Sequence, residues 1–110
     1  MARARIRIPQ EDVRRFCRRW TVAELALFGS VLRDDFRADS DIDVLVSFRP
    51  GAHVGLFDLV TMQMELCAIL GREVDLVDRA AVEGSANYIR REAILSDQEV
   101  IYAARRRVPA

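Results

Sequence analysis

The run Asp41-Ile-Asp-Val-Leu-Val-Ser-Phe48 constrains the fold of this chain more than any other stretch. It is rich in β-branched residues and Pro50-Gly51 stops it, so it reads as a strand. Strand side chains alternate with a period of two, so Ile42, Val44, Val46 and Phe48 turn to a core. Asp41 and Asp43 turn together to the other face. A strand of this kind must pair within a sheet and bury its apolar face under a second layer.

The flanking sequence supplies both partners and cover. Pro9 lies in the first turn of a predicted helix, with Glu11 and Asp12 near its positive end. Val13, Phe16, Cys17 and Trp20 then recur at i, i+3, i+4 and i+7, opposite a face of arginines. Leu25 to Phe28 reads as a short buried strand ended by Gly29. Ser30 to Phe36 reads as a short helix, and Arg37 to Ser40 as a polar loop. The apolar spacing from Gly55 to Leu70 is helical, with Gly71 as its natural stop. Met62 and Met64 belong to this helix as apolar filler. Glu73 to Val77 reads as a strand, Ser85 to Leu95 as a helix and Glu99 to Tyr102 as a last strand. This order predicts an α/β (α+β) fold: a small mixed sheet of about four strands with helices packed on it.

With 110 residues the chain is expected to be one domain spanning 1–110, with residues 1–8 and 104–110 as flexible ends. No apolar run approaches the roughly 20 residues that span a bilayer, and the first residues lack the apolar stretch of a secretory signal. A cytoplasmic location follows as the expectation, without a membrane partner. Basic and acidic residues balance at 17 each, and every one of those cations is Arg. The arginines at 3, 5 and 7, at 14, 15, 18 and 19, and at 105 to 107 read first as solvated faces and chain ends, and second as a local basic surface; a zero net charge argues against general nucleic-acid binding. Cys17 and Cys67 lie in helical segments without a ligand partner, which disfavours a disulfide framework or zinc site. His53 is the only histidine, so a mechanism needing a histidine-based triad or a metal centre of several histidines is nearly excluded.

Three features carry candidate chemistry. Gly29-Ser30 follows a strand, where glycine permits a positive φ and lets a ligand approach the backbone closely. The N–H groups opening the next helix suit a phosphate, Ser30 adds a hydroxyl, and Arg33 one turn on adds a charged donor. The second feature is the Asp41, Asp43 pair, hard oxygen donors on one strand face that suit Mg²⁺ together with substrate phosphates and water. The third is Asp75. If its strand pairs in matching register beside Asp41 to Phe48, its carboxylate reaches the same face. Three acids could then bracket two metal ions about 3.5–4 Å apart, an arrangement that serves in-line phosphoryl and nucleotidyl displacement. Asp75 would be placed to accept a proton from the attacking hydroxyl.

Leu27-Phe-Gly-Ser-Val-Leu-Arg33 and Asp39-Ser-Asp-Ile-Asp-Val-Leu-Val46 together resemble the signature of the DNA polymerase β-type nucleotidyltransferase superfamily. In that signature Gly-Ser is followed, after ten residues, by Asp-x-Asp, and the interval from Ser30 to Asp41 fits. Within the superfamily the chain is similar to the minimal nucleotidyltransferases, over about Val13 to Tyr102. The resemblance implies the polymerase β-like fold, Asp41, Asp43 and Asp75 as catalytic metal ligands, and Gly29 and Ser30 at the triphosphate. It further implies Mg²⁺ as cofactor (two ions with the nucleotide), ATP as substrate, and a helical HEPN-type toxin as partner that relatives adenylylate in an antitoxin role. Two departures stand beside it. Asp34 and Asp35 follow Arg33 where relatives carry small residues, and the chain lacks the fingers and thumb needed for templated synthesis. Other readings are a non-catalytic module that neutralises a toxin by binding, and a small-molecule nucleotidyltransferase, for which no residues remain to build a substrate domain. A homo-oligomer is compatible with the sequence, which fixes neither acceptor nor base.

Overall fold

The computed structural model describes residues 6–34, 36–37 and 39–104. The expected features at Arg3, Arg5, Asp35 and residues 105–107 lie outside these. The elements are α1 (Gln10–Arg19), β1 (Val22–Phe28), a 3₁₀ turn (Gly29–Leu32), β2 (Ile42–Phe48), α2 (Leu56–Leu70), β3 (Val74–Asp78), α3 (Arg79–Glu83), α4 (Tyr88–Ser96) and β4 (Gln98–Ala103). The four strands form one mixed sheet in the order β3-β2-β1-β4. β1 is antiparallel to both β2 and β4, whereas β2 and β3 run parallel across the α2 crossover.

The α1–β1 and β2–α2–β3 units form because each helix turns an apolar stripe to the same sheet face. Val13, Phe16 and Cys17 from α1 meet Met62 and Leu66 from α2 over Val22, Leu25, Leu27, Ile42, Val44, Val46 and Val74. Burial drives the Cys17 thiol from its ordinary 9.0 to about 12, so it stays protonated and acts as a small apolar group. α2 ends at Gly71, which holds φ +69° and whose N–H donates to the Cys67 carbonyl at 2.9 Å. α1 starts one residue later than its proline suggests. Pro9 is the N-cap, and its carbonyl accepts the Val13 N–H at 3.0 Å.

Two differences from the sequence reading bear on the site. The face of β2 that carries Asp43 is not wholly solvated: Leu45 beside it is buried with Ala26, Phe28, Val82 and Ile94 under α3 and α4. The additional helix α3 is held by Asp78, whose Oδ1 accepts the Ala80 N–H at 3.0 Å. The sheet is therefore covered on both faces, and the acids emerge only where the second layer stops. Among the described residues no helix is long and apolar enough to cross a membrane.

Candidate active site

The strand register brings the predicted acids to one end of the sheet. Asp43 stands opposite Asp75 in the parallel β2–β3 pair, so both carboxylates leave the same face. Across the other edge of β2, Asp43 pairs with Phe28, the last residue of β1 before Gly29. Asp41 precedes β2 by one residue, and extended alternation turns it toward Asp43.

The three acids differ in exposure. Asp41 and Asp75 are exposed and Asp43 is half-buried. Burial lifts the Asp43 carboxyl above its usual range, Asp75 and then Asp41 lift it further, and the Arg33 guanidinium opposes them. Asp43 is thus the centre of the cluster, with an acid on each side and a cation within electrostatic reach.

Gly29 closes the site from the β1 side. It holds φ +76°, and a methyl group built on it would overlap Asp43 Oδ2 and lie 3.3 Å from Asp43 Cγ. Glycine is thus needed for the backbone conformation and again for the close approach of the carboxylate. The helix expected from Ser30 to Phe36 is instead one 3₁₀ turn that ends at Leu32, after which Arg33 is extended at φ −112°, ψ 160°. Its cause is tertiary: Phe36 leaves the helical path to pack against the core beneath the Arg72 guanidinium, 4.4 Å from its ring centroid. So short a turn carries little macrodipole. The groups that could meet an anion here are individual donors: turn N–H groups, the Ser30 hydroxyl and Arg33.

Arg72 makes contacts beside the site that the sequence did not reveal. Its guanidinium donates to the Arg37 carbonyl at 2.5 Å and the Ser40 carbonyl at 3.3 Å. It therefore ties the chain between the Gly-Ser turn and Asp41 to the end of α2. No local pattern predicts contacts across more than 30 residues.

Among the described residues, no three acidic, cysteine or histidine side chains form a ready-made metal cage. Mg²⁺ does not need one, being held by one or two carboxylates with phosphate oxygens and water completing its octahedron. Asp41 and Asp43 could supply that pair: burial does most to lift Asp43, and a divalent cation would relieve the repulsion from Asp75 and Asp41 that adds to it.

A sequence profile of the nucleotidyltransferase domain matches residues 11–103. The chain belongs to this family. The protein adenylyltransferase MntA of Thermococcus cleftensis is 35% identical over 77 residues, covering 69% of this chain and 76% of the relative. A Methanocaldococcus jannaschii relative is 43% identical over 56 residues, a match spanning 51% of this chain and just 58% of the relative's length. In fold, the nucleotidyltransferase is similar to a crystal structure of a toxin–antitoxin with AMP-PNP, at TM-score 0.66 and 17% identity, over 88% of this chain and 75% of that one. It is also similar to a tri-AMPylated Shewanella oneidensis HEPN toxin in complex with MNT antitoxin, at TM-score 0.58 and 18% identity, over 86% of this chain and 70% of that one. At those identities the structures speak for the fold.

Proposed function

We propose that this nucleotidyltransferase is a Mg²⁺-dependent, cytoplasmic adenylyltransferase that moves AMP from ATP to a hydroxyl group of a HEPN-type toxin and so acts as its antitoxin. The observation that carries the reading is the Asp43–Asp75 register beside a glycine whose added side chain would overlap the Asp43 carboxylate. MntA, named as a protein adenylyltransferase, supports the reaction class. AMP-PNP in one structural neighbour supports ATP, and the AMPylated HEPN toxin in another supports the partner.

In this reading Gly29 leaves room for the triphosphate, while the Ser30 hydroxyl and Arg33 donate to its oxygens. Asp41 and Asp43 hold the metal, which when bound neutralises phosphate charge and polarises the α-phosphate. Asp75 orients the acceptor hydroxyl and takes its proton as the oxygen bonds to the α-phosphorus. The bond to the bridging oxygen of the β-phosphate breaks, and pyrophosphate leaves. With Asp41 and Asp75 exposed, the acceptor protein completes the site from outside.

Incubated with a HEPN-type toxin, Mg²⁺ and ATP, the protein should add one or more units of about 329 Da to that toxin by intact-mass spectrometry, as AMP transfer requires. Asp43→Asn should lower this by about two orders of magnitude or more. Without divalent cation the same variant should melt no lower than the parent, because the removed charge is one that burial and its acidic neighbours disfavour. Undiminished transfer by Asp43→Asn would exclude the mechanism. A second reading is favoured by the outer face of α2, where Leu56, Phe57, Val60 and Met64 are 75, 86, 51 and 68% exposed. Such a stripe suits a binding module that neutralises by contact. Neutralisation without added mass, equally strong in Asp43→Asn, would establish that reading.

A further inference from the structure

A concavity of about 580 Å³ lies between α1 and the end of β4, away from the acids. Tyr102 pairs with Leu25 in β1, whereas Asp43 pairs with Phe28, so the two places lie about 10 Å apart along the strand. They also lie on opposite faces, since Leu25 and Tyr102 belong to the α1 side of the sheet and Phe28 to the α3–α4 side.

The sequence builds this cleft from three devices. Arg14 and Arg18 sit one turn apart on α1 and project from the same side of the helix. Arg49 follows β2 directly, and its N–H donates to the Thr21 carbonyl at 2.9 Å. Thr21 holds φ 54°, a left-handed conformation that non-glycine residues seldom adopt, in the turn joining α1 to β1. A β-bulge supplies the floor. β4 pairs Tyr102 with Leu25 and Val100 with Ala26, which leaves Ile101 as an extra residue. Ile101 and Tyr102 consequently both pack on the α1 side and line the cleft with Val13.

Among the described residues its lining contains three guanidinium groups and no carboxylate. Arg14 shares its charge with Glu11 at 2.7 Å, but among the described residues neither Arg18 nor Arg49 has an acidic partner. Guanidinium forks match phosphate oxygens, and the apolar floor with the Tyr102 ring suits an aromatic base. The volume is in the range of small-molecule sites. We infer that this cleft is a second binding site, for a nucleoside polyphosphate, distinct from the acid cluster and independent of the adenylyl-transfer reading.

The two sites separate by their need for metal. Beside three carboxylates a polyphosphate needs a divalent cation, whereas the arginine cleft needs none. Calorimetry with ADP in EDTA at low salt should therefore show saturable binding of one ADP per chain. Arg18→Glu/Arg49→Glu should weaken it at least tenfold, whereas Gly29→Val, which blocks the acid site, should leave it intact. Both arginines are exposed, so an unchanged circular dichroism spectrum is expected. Should the double variant not fold, Arg49→Gln, which retains the N–H bond to Thr21, should still weaken binding measurably. Absence of saturable binding, equal affinity in folded arginine variants, or loss in folded Gly29→Val would overturn the site. Inorganic tripolyphosphate binding as tightly as ADP would overturn its assignment to a nucleotide.

Discussion

An alanine at position 29 would have to hold φ +76° and set its methyl group against the Asp43 carboxylate. Gly71 provides the internal comparison, because it holds φ +69° but, among the described residues, has nothing within 4 Å of the added carbon. Gly71→Ala should cost about 1–2 kcal/mol of stability, the backbone term alone, and leave transfer unchanged. Gly29→Ala should cost at least as much and also lose nucleotide binding, since Asp43 must swing out of the cluster. Chemical denaturation and calorimetry with Mg²⁺–ATP check the pair. Equal behaviour of the two variants would mean that the approach of Gly29 to Asp43 has no role. The glycine was legible in the sequence because a strand ended there beside a serine. Its contact with Asp43 was not, since that contact depends on how β1 and β2 pair.

At the scale of elements, β3 is the edge strand that carries Asp75 opposite Asp43. An edge strand presents backbone groups that neighbouring strands do not satisfy. Here the α2 side chain of Gln63 reaches over, and its Oε1 accepts the Leu76 N–H at 3.1 Å. That bond lies next to Asp75 and anchors the strand to the crossover helix. Gln63→Ala should lower stability by about 1 kcal/mol, the net worth of one hydrogen bond, and speed amide exchange at Leu76. Transfer should fall more than stability alone explains, because β3 then holds Asp75 less firmly. Unchanged exchange at Leu76 would show that the strand is held by its β2 ladder alone. The helical spacing of α2 and the strand pattern of Glu73 to Val77 were readable separately. The bond between them was not, because Gln63 lies among residues that all fit a helix equally well.

Across the whole molecule, the α1–α2 layer seals Cys17 at 0% exposure, while Cys67 is half-buried. A thiol pushed up to about 12 holds its proton more tightly folded than unfolded. Its contribution to stability is complete below its ordinary 9.0 and is lost as the pH rises from there toward 12. Melting temperatures should fall through that alkaline window, and Cys17→Ala should flatten the fall. At pH 8 a thiol reagent should label Cys67 first and Cys17 only on unfolding, as mass spectrometry of peptides would report. Prompt labelling of Cys17 would mean that this layer opens readily.

By itself the sequence determined what depends on spacing along the chain. It determined the alternation that turns Asp41 and Asp43 together, the helical period that covers one sheet face, and the ten residues between Ser30 and Asp41. Those patterns are written in side chains a few positions apart, where backbone geometry is nearly fixed. Only the tertiary structure decided the parallel register that sets Asp75 beside Asp43, the second apolar layer over Leu45, and the 3₁₀ turn that ends at Leu32. It also decided the Arg72 clamp and the arginine cleft, whose parts lie on segments far apart in sequence. The reason is common to them all. A contact between distant residues is stabilised only after the elements carrying them have packed, so no local propensity records it.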